Sequence, residues 1–408
     1  MFDDLTVAEN LMMGRYPRRR TLKTIDWPAM RRQSAKALRD VGADIDPDAI
    51  VRTLPIAERH MVSIAGAVAR DARIIIFDEP TASLSQGEIR VLYSIIARLK
   101  AAGRAILFIS HKFDELFAVA DRFVVLRDGR AVGSGRMAET TEADLVRLMV
   151  GRPVEQLYPK AAVAIGEPVL QAEGLTHPTE FEDVTFTLRR AEVLGFYGLV
   201  GAGRTEIMEA IFGLKPLSRG VVTVDGAPLA STGPEAAIAA GLAYVPEDRQ
   251  GQGGVLSMSV RDNLSLVTLA RLSHGPFLSR RREDDLVVRL RARLGIKMAG
   301  PDQRLGELSG GNQQKIIIGK WLAAAPKIVI LDEPTKGIDV GAKAAVHAFV
   351  AELVTGGLSV ILVSSELEEV LGLADRIVVM HRGRVVGRLD RAQADRETVV
   401  RMASGAAR

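Results

Sequence analysis

The tetrapeptide Asp-Glu-Pro-Thr occurs twice in this 408-residue chain, at 78–81 and, 254 positions later, at 332–335. Other segments recur at almost the same interval. Six residues from Thr6 (TVAENL) match six residues from Ser259 (SVRDNL), 253 positions later. A repeat this long predicts two copies of one structural module, because each copy must build its own core from the same pattern.

Each tetrapeptide follows a short apolar run, Ile74–Phe77 in the first copy and Ile328–Leu331 in the second. Runs of this length and composition predict buried β-strands. An α/β sheet presents its functional side chains at the carboxyl ends of its strands, which is where the acids of the tetrapeptide would lie. The chain is therefore predicted to be α/β, with candidate acids Asp78, Glu79, Asp332 and Glu333.

A glycine loop follows a predicted strand at Val193–Tyr197 and precedes an apolar-periodic helix. Strand, glycine loop and helix form the context of a phosphate-binding loop, because glycines let backbone N–H groups approach an anion at a helix N-terminus. Arg204 stands where the pattern G-x-x-x-x-G-K-[ST] has lysine, and a guanidinium is a wider donor than an ammonium. We therefore expect the loop to retain its binding of nucleotide phosphates, and we expect the change from lysine to arginine to affect nucleotide hydrolysis more than nucleotide binding. The predicted phosphate-binding residues are Gly198, Gly201, Ala202, Gly203, Arg204 and Thr205.

A second glycine turn begins another predicted helix, at Ser309, Gly310 and Gly311. It is a second candidate for phosphate binding, for the same reason. The equivalent stretch of the first copy, Leu54–Glu58, has neither the serine nor the glycines, and its Pro55 has no backbone N–H. We expect no phosphate cradle in the first copy at this point.

The order of these motifs resembles that of ATP-binding cassette (ABC) ATPases. Within that class the chain resembles the ATP-binding subunits of monosaccharide importers of the ribose, galactose and xylose type. The second copy carries GLVGAGRTE, VPEDR, LSGGNQQK and DEPTKGID, and the first carries LTVAEN, FDEPTASL and ISHKFDEL. The resemblance covers essentially the whole chain.

The resemblance implies P-loop NTPase modules in tandem, with ATP held between the phosphate loop of one module and the Ser-Gly-Gly turn of the other. It implies catalytic roles for Glu79, Glu333 and the switch residue His111, whose position in the second copy is taken by Ser365. It also places Glu247 at a loop that contacts nucleotide and the membrane subunit. The implied cofactors are ATP and Mg²⁺, with Asp78, Thr205 and Asp332 as the metal-binding residues.

The predicted domains are a partial first module at 1–150, a linker at 151–167 and a complete second module at 168–408. The linker stretch is rich in proline and glycine. The part of the second copy from about 168 to 258 has no counterpart in the first. We therefore expect that roughly 85 residues, including the N-terminal β-subdomain and phosphate loop of the first module, are absent before Met1. We also expect this chain to hydrolyse ATP weakly or not at all.

Composition restricts the partners. The net charge of +4 is too small to indicate a nucleic-acid partner. Cysteine is absent, which fits a reducing cytoplasm, and no run of 18 apolar residues occurs. The resemblance implies membrane-spanning permease subunits as partners, a periplasmic or extracellular sugar-binding protein acting indirectly, and a location at the cytoplasmic face of the cell membrane. Two alternatives remain: a nucleoside-type importer subunit, and a nucleotide-binding fragment without hydrolysis.

Overall fold

A computed structural model describes the chain except for residues 21–22, 71, 82–83, 111, 128, 151–157, 161–162, 230–232, 339 and 406–408. The predicted switch residue His111 and most of the predicted linker thus lie outside the described residues. The chain divides into two compact units, Met1–Leu148 and Met149–Arg408. No helix formed by the described residues is both long enough and apolar enough to cross a membrane.

The first unit combines helices with two small pairs of strands. Its first helix begins after Thr6, which forms a reciprocal capping box with Glu9. Strands β1 and β2 pair in parallel, and β3 and β4 form an antiparallel hairpin. The elements are α1 (Val7–Leu11), α2 (Trp27–Asp40), α3 (Ile56–Val68), β1 (Ile74–Asp78), α4 (Gln86–Ala101), β2 (Ala105–Ile109), α5 (Phe113–Val119), β3 (Arg122–Arg127), β4 (Arg130–Arg136) and α6 (Glu142–Val150).

Strand β1 is buried on one face only. Ile75 and Phe77 lie in a core with residues of α3 and α4, whereas Ile74 and Ile76 are 67% and 61% exposed. The prediction of a fully buried strand at Ile74–Phe77 is therefore wrong for one face. The physical reason is that, within the described residues of this unit, helices cover only one side of the β1–β2 ribbon.

In the second unit the first strand begins at Pro168, and the last element is a short helix. Its elements are β5 (Pro168–Thr176), β6 (Val184–Arg189), β7 (Val193–Gly198), α7 (Arg204–Ile211), β8 (Arg219–Val224), β9 (Ala227–Pro228), α8 (Pro234–Ala239), β10 (Leu242–Val245), α9 (Val260–Ser265), α10 (Leu269–Leu272), β11 (Ser273–His274), β12 (Phe277–Leu278), α11 (Arg280–Leu294), α12 (Gly310–Leu322), β13 (Ile328–Asp332), α13 (Val340–Thr355), β14 (Ser359–Val363), α14 (Leu367–Leu373), β15 (Arg376–His381), β16 (Arg384–Asp390) and α15 (Arg396–Ala403).

The main sheet of the second unit has the strand order β10-β13-β14-β7-β15-β16. Its first five strands are parallel, and β16 pairs antiparallel with β15. Every residue of β7, β10, β13 and β14 is buried, as expected for parallel strands covered on both faces. A smaller antiparallel sheet has the order β6-β5-β8-β9. The carboxyl ends of the parallel strands meet at one edge, where the candidate site lies.

Equivalent strands of the two units pair in the same register. Asp78 lies opposite Ile109 in the β1–β2 pair, and Asp332 lies opposite Val363 in the β13–β14 pair, 254 positions later in both strands. The hairpins β3–β4 and β15–β16 also share their register and carry an irregularity at the equivalent step. The repeat in the sequence is thus a repeat in backbone pairing.

Candidate functional site

The glycine loop connects the end of β7 to the start of α7. Gly201 and Gly203 have φ of +78° and +90°, in the left-handed region that favours glycine. A Cβ on Gly198 would lie 2.6 Å from the carbonyl oxygen of Met380, so close approach of two strands requires glycine there. Buried Ala202 accepts a backbone hydrogen bond from Gly383, which fixes the loop against the end of β15. The left-handed glycines and the bond from Gly383 thus define the course of the loop.

Asp332 ends β13 and is completely buried. Its Oδ2 accepts a hydrogen bond from the Tyr244 hydroxyl at 3.0 Å. Burial raises the pKa of Asp332 to about 7, although the nearby hydroxyls of Thr205 and Tyr244 act in the opposite direction. Among the described residues, Oδ1 has no hydrogen-bond partner. A buried carboxylate with an unused oxygen beside a hydroxyl is the kind of oxygen donor set that Mg²⁺ prefers, so these residues fit the metal.

Glu333 follows at the turn beyond β13, with φ of +46°. Non-glycine residues seldom adopt this conformation, and such strain is concentrated at functional sites. Its backbone N–H donates to Val363, and its carboxylate accepts from the Ser365 hydroxyl at 2.9 Å. Burial raises the pKa of Glu333, while hydrogen bonds from Ser365 and the charge of Arg204 lower it. The turn thus aims a partly desolvated carboxylate at the loop.

Arg204 connects the phosphate loop to this carboxylate. Its Nη2 lies 3.2 Å from Oε1 of Glu333, and both side chains are largely buried. Its Nη1 is also buried and, among the described residues, has no hydrogen-bond partner. A buried guanidinium nitrogen without an acceptor is costly, so the geometry leaves one strong donor available for an anion at the loop.

A cleft of about 470 Å³ opens beside Thr205 and is lined by the turn after β10. Glu247 lies in this cleft and forms an ion pair with Lys336, and its predicted contact with nucleotide stays a prediction. Arg249 donates to the carbonyl oxygens of Gly310 and Gly337, at 3.1 Å each. The cleft thus borders the phosphate loop at Thr205, and Arg249 in its lining contacts the carbonyl oxygen of Gly310 at the start of α12.

Sequence reasoning missed two side chains of this site, Tyr244 and Lys336. Tyr244 lies on β10, which pairs directly with β13, so its hydroxyl reaches Asp332 from the neighbouring strand. Lys336 lies three residues after Glu333. A prediction of strand order would have identified Tyr244. For Lys336 the sequence offers one signal, a lysine inside the motif DEPTKGID to which no role was assigned.

The Ser-Gly-Gly turn starts α12, with Ser309 at the N-cap position. The Ser309 hydroxyl makes no capping bond and accepts instead from the Asn312 side chain at 2.9 Å. A Cβ on Gly311 would lie 2.8 Å from that of Ala342, so packing against α13 already requires this glycine. No hydrogen bond among the described residues joins Ser309, Gly310 or Gly311 to the phosphate loop, and their role toward nucleotide stays a prediction.

The acids of the first unit share the backbone geometry of Asp332 and Glu333. Glu79 has φ of +47°, and its N–H donates to Ile109 just as that of Glu333 donates to Val363. Their surroundings differ, because Asp78 is exposed whereas Asp332 is buried. The catalytic and metal-binding roles predicted for Glu79 and Asp78 stay predictions.

Comparison with known proteins gives the family. A sequence profile described as ABC transporter matches residues 1–82 and 181–336. Ribose import ATP-binding protein RbsA 1 of Rhizobium meliloti (strain 1021) is 52% identical over 99% of this chain and 80% of its own length. The RbsA protein of Jannaschia sp. (strain CCS1) is 51% identical over 99% of this chain and 78% of its own length. A solved ATP-binding cassette of an ABC transporter, 21% identical, matches with a TM-score of 0.50 over 58% of this chain and 98% of its own, which supports the fold. The chain belongs to the ABC transporter family, as one of its ATP-binding proteins.

Proposed function

We propose that this protein binds and hydrolyses ATP to energise import of a monosaccharide through membrane-spanning permease subunits. One observation carries the proposal: the start of α7 and the end of β13 bring together Arg204, Thr205, Asp332 and Glu333, which are the donor, metal-binding and carboxylate groups that phosphoryl transfer requires. The substrate class comes from the relatives, which are named as ribose import proteins.

Each residue has a defined task toward ATP in this proposal. Backbone N–H groups of the loop and the N-terminus of α7 hold the phosphates, with the unpaired Nη1 of Arg204 as a further donor. Thr205 and Asp332 hold Mg²⁺, which when bound neutralises charge on the phosphate oxygens. Glu333 orients and polarises the attacking water, and its raised pKa suits a general base. Ser365 keeps the Glu333 carboxylate in place.

We infer further that the chain holds two ABC modules in tandem, the first within 1–150 and the second within 168–408, joined by a linker at 151–167. The equal registers of β1–β2 and β13–β14 support this inference. Under this inference Ser309, Gly310 and Gly311 would bind nucleotide phosphate, and Asp78, Glu79 and His111 would keep the roles predicted for them in the first module. The protein would lie at the cytoplasmic face of the membrane, held there by the permease, and would meet the sugar-binding protein only indirectly.

The test measures phosphate release and nucleotide binding on the same preparations. Glu333→Gln should lower the rate of phosphate release by about 100-fold or more and leave Mg-ATP binding nearly unchanged. Glu368→Gln, an exposed glutamate in the same unit, is the matched control. Absence of Mg-ATP binding to the parent protein would contradict the proposal.

The substrate class is tested with the permease reconstituted in vesicles. Binding protein loaded with ribose, galactose or xylose should stimulate phosphate release by the parent. Stimulation by nucleoside-loaded binding protein alone would favour the nucleoside importer instead, and binding without turnover under all conditions would favour the non-hydrolysing alternative.

A further inference from the structure

A completely buried carboxylate, Glu369, lies in α14 outside the groups assigned above. Its Oε2 accepts hydrogen bonds from the hydroxyls of Ser364, at 2.5 Å, and Thr335, at 3.1 Å. Its Oε1 lies 2.8 Å from Nε2 of His347 on α13. One side chain thus ties together two loops and two helices. Burying a carboxylate is costly, and these bonds offset the cost.

The two loops that Glu369 joins are those that meet at the catalytic carboxylate. Thr335 lies two residues after Glu333, in the turn beyond β13. Ser364 precedes Ser365, the residue whose hydroxyl donates to the Glu333 carboxylate. A shift of either loop would therefore displace Glu333 or its hydrogen-bond donor, although Glu369 is not one of the described residues that line the nucleotide cleft.

The first unit contains the same arrangement 254 positions earlier. Buried Glu115 accepts hydrogen bonds from the hydroxyls of Thr81 and Ser110. The Ser110 hydroxyl also accepts the N–H of Lys112, as that of Ser364 accepts the N–H of Glu366. Only the third partner differs, since the Lys112 ammonium takes the place of an imidazole. Because the buried carboxylate and both of its hydroxyl donors recur, we regard this set of hydrogen bonds as a structural feature of the module.

We propose that Glu369 is a positioning residue for ATP hydrolysis, holding the Glu333 turn and the Ser365 loop in the arrangement that the reaction needs. The proposal rests on the proposed function and adds a residue to it. Loss of this tether lets the Glu333 carboxylate move relative to the phosphates. Because small displacements of reacting groups lower rates strongly, loss of the tether should lower kcat. Nucleotide affinity depends on the glycine loop and should therefore remain unchanged.

The experiment compares Glu369→Leu with Glu369→Gln, using Glu368→Leu on the exposed side of the same helix as the control. Glu369→Leu should lower kcat for phosphate release by about 10- to 100-fold with a Mg-ATP Kd within about 2-fold of the parent. Glu369→Gln keeps an oxygen acceptor for both hydroxyls, so its kcat should stay within about 3-fold. A kcat for Glu369→Leu equal to that of the control, or an equal loss in Kd and kcat, would overturn the proposal.

A second measurement needs no turnover. Amide hydrogen exchange at Glu333, Thr335 and Ser365 should become at least about 10-fold faster in Glu369→Leu than in Glu368→Leu, because the loops lose their common anchor. Unchanged exchange would overturn the positioning role. If Glu369→Leu does not fold, Thr335→Val removes one of the hydrogen bonds and should likewise lower kcat while leaving the Mg-ATP Kd nearly unchanged. A parent protein that binds Mg-ATP but releases no phosphate contradicts the proposed function, and exchange still decides whether Glu369 holds the loops.

Discussion

Replacing Asp332 by asparagine should make the nucleotide-free protein more stable at neutral pH. Asp332 is completely buried, and burial raises its pKa from an ordinary value of 3.8 to about 7. Asparagine has nearly the same shape and carries no charge, and its amide oxygen can still accept from the Tyr244 hydroxyl. The variant thus removes the cost of an ionised group at a buried position and keeps the hydrogen bond.

The size of the effect follows from the two pKa values. A rise from 3.8 to about 7 corresponds to about 4 kcal/mol, at about 1.4 kcal/mol for each pKa unit. Because the folded protein binds this proton more tightly than the unfolded chain does, the free energy of unfolding of the parent falls between about pH 4 and pH 7 and is then constant. The asparagine variant lacks this fall. Its advantage should be about 1.5 kcal/mol at pH 5 and about 4 kcal/mol at pH 8.

Urea denaturation followed by tryptophan fluorescence measures this difference. The sequence has two tryptophans: Trp321 is buried in the second unit, and Trp27 lies in the first, so a Trp27→Phe background isolates the unit of interest. Asp285→Asn, at an exposed position, is the control and should show no such pH dependence. An advantage of Asp332→Asn that is the same at pH 5 and pH 8 would refute the reasoning. Mg-ATP should stabilise the parent more than the variant, which has lost the charge of a metal-binding carboxylate but keeps the phosphate loop.

Three further substitutions test other parts of the site. Gly203→Ala places a Cβ 3.1 Å from Gly383 Cα at a φ of +90°, and urea denaturation should show a loss of about 1–3 kcal/mol, larger than for Gly226→Ala in open space. Burial lowers the pKa of Lys320 to about 8, so the free energy of unfolding of the parent should rise between about pH 8 and 10.5, and Lys320→Met should abolish that rise. Arg204→Gln should weaken Mg-ATP binding by about 10-fold or more in calorimetry, and equal affinity would contradict the role of its unpaired nitrogen.

The local sequence pattern was sufficient to predict these strands and the edge of the sheet at which the acids lie. The apolar runs predicted at Ile328–Leu331 and Val193–Tyr197 are confirmed as β13 and β7. Parallel strands end together, so Thr205, at the start of the helix after β7, comes close to Asp332, the last residue of β13. These predictions depend on short-range periodicity, which can be read from the sequence, and on the general rule that parallel strands end at the same edge of a sheet.

Features set by contacts between distant segments could not be predicted in this way. The exposure of Ile74 and Ile76 depends on which elements cover β1, not on the strand itself. The bond from Tyr244 to Asp332 depends on strand order, because 88 residues separate the two. The tetrapeptide likewise does not reveal that its glutamate adopts a left-handed conformation.

The two copies together separate what the fold needs from what the chemistry needs. Helices α3 and α12 begin and end at equivalent positions, although one starts with Leu-Pro-Ile and the other with Leu-Ser-Gly. The glycines are therefore not required to start this helix. Glu79 and Glu333 both keep the left-handed turn, so the tetrapeptide fixes backbone geometry in either setting. The two copies differ in the burial of the aspartate, which is buried as Asp332 and exposed as Asp78. Asp332 is buried because β13 lies between β10 and β14 and packs against α7. The pKa of Asp332 is thus a property of the elements around the motif, which is why the same four residues can carry different chemistry.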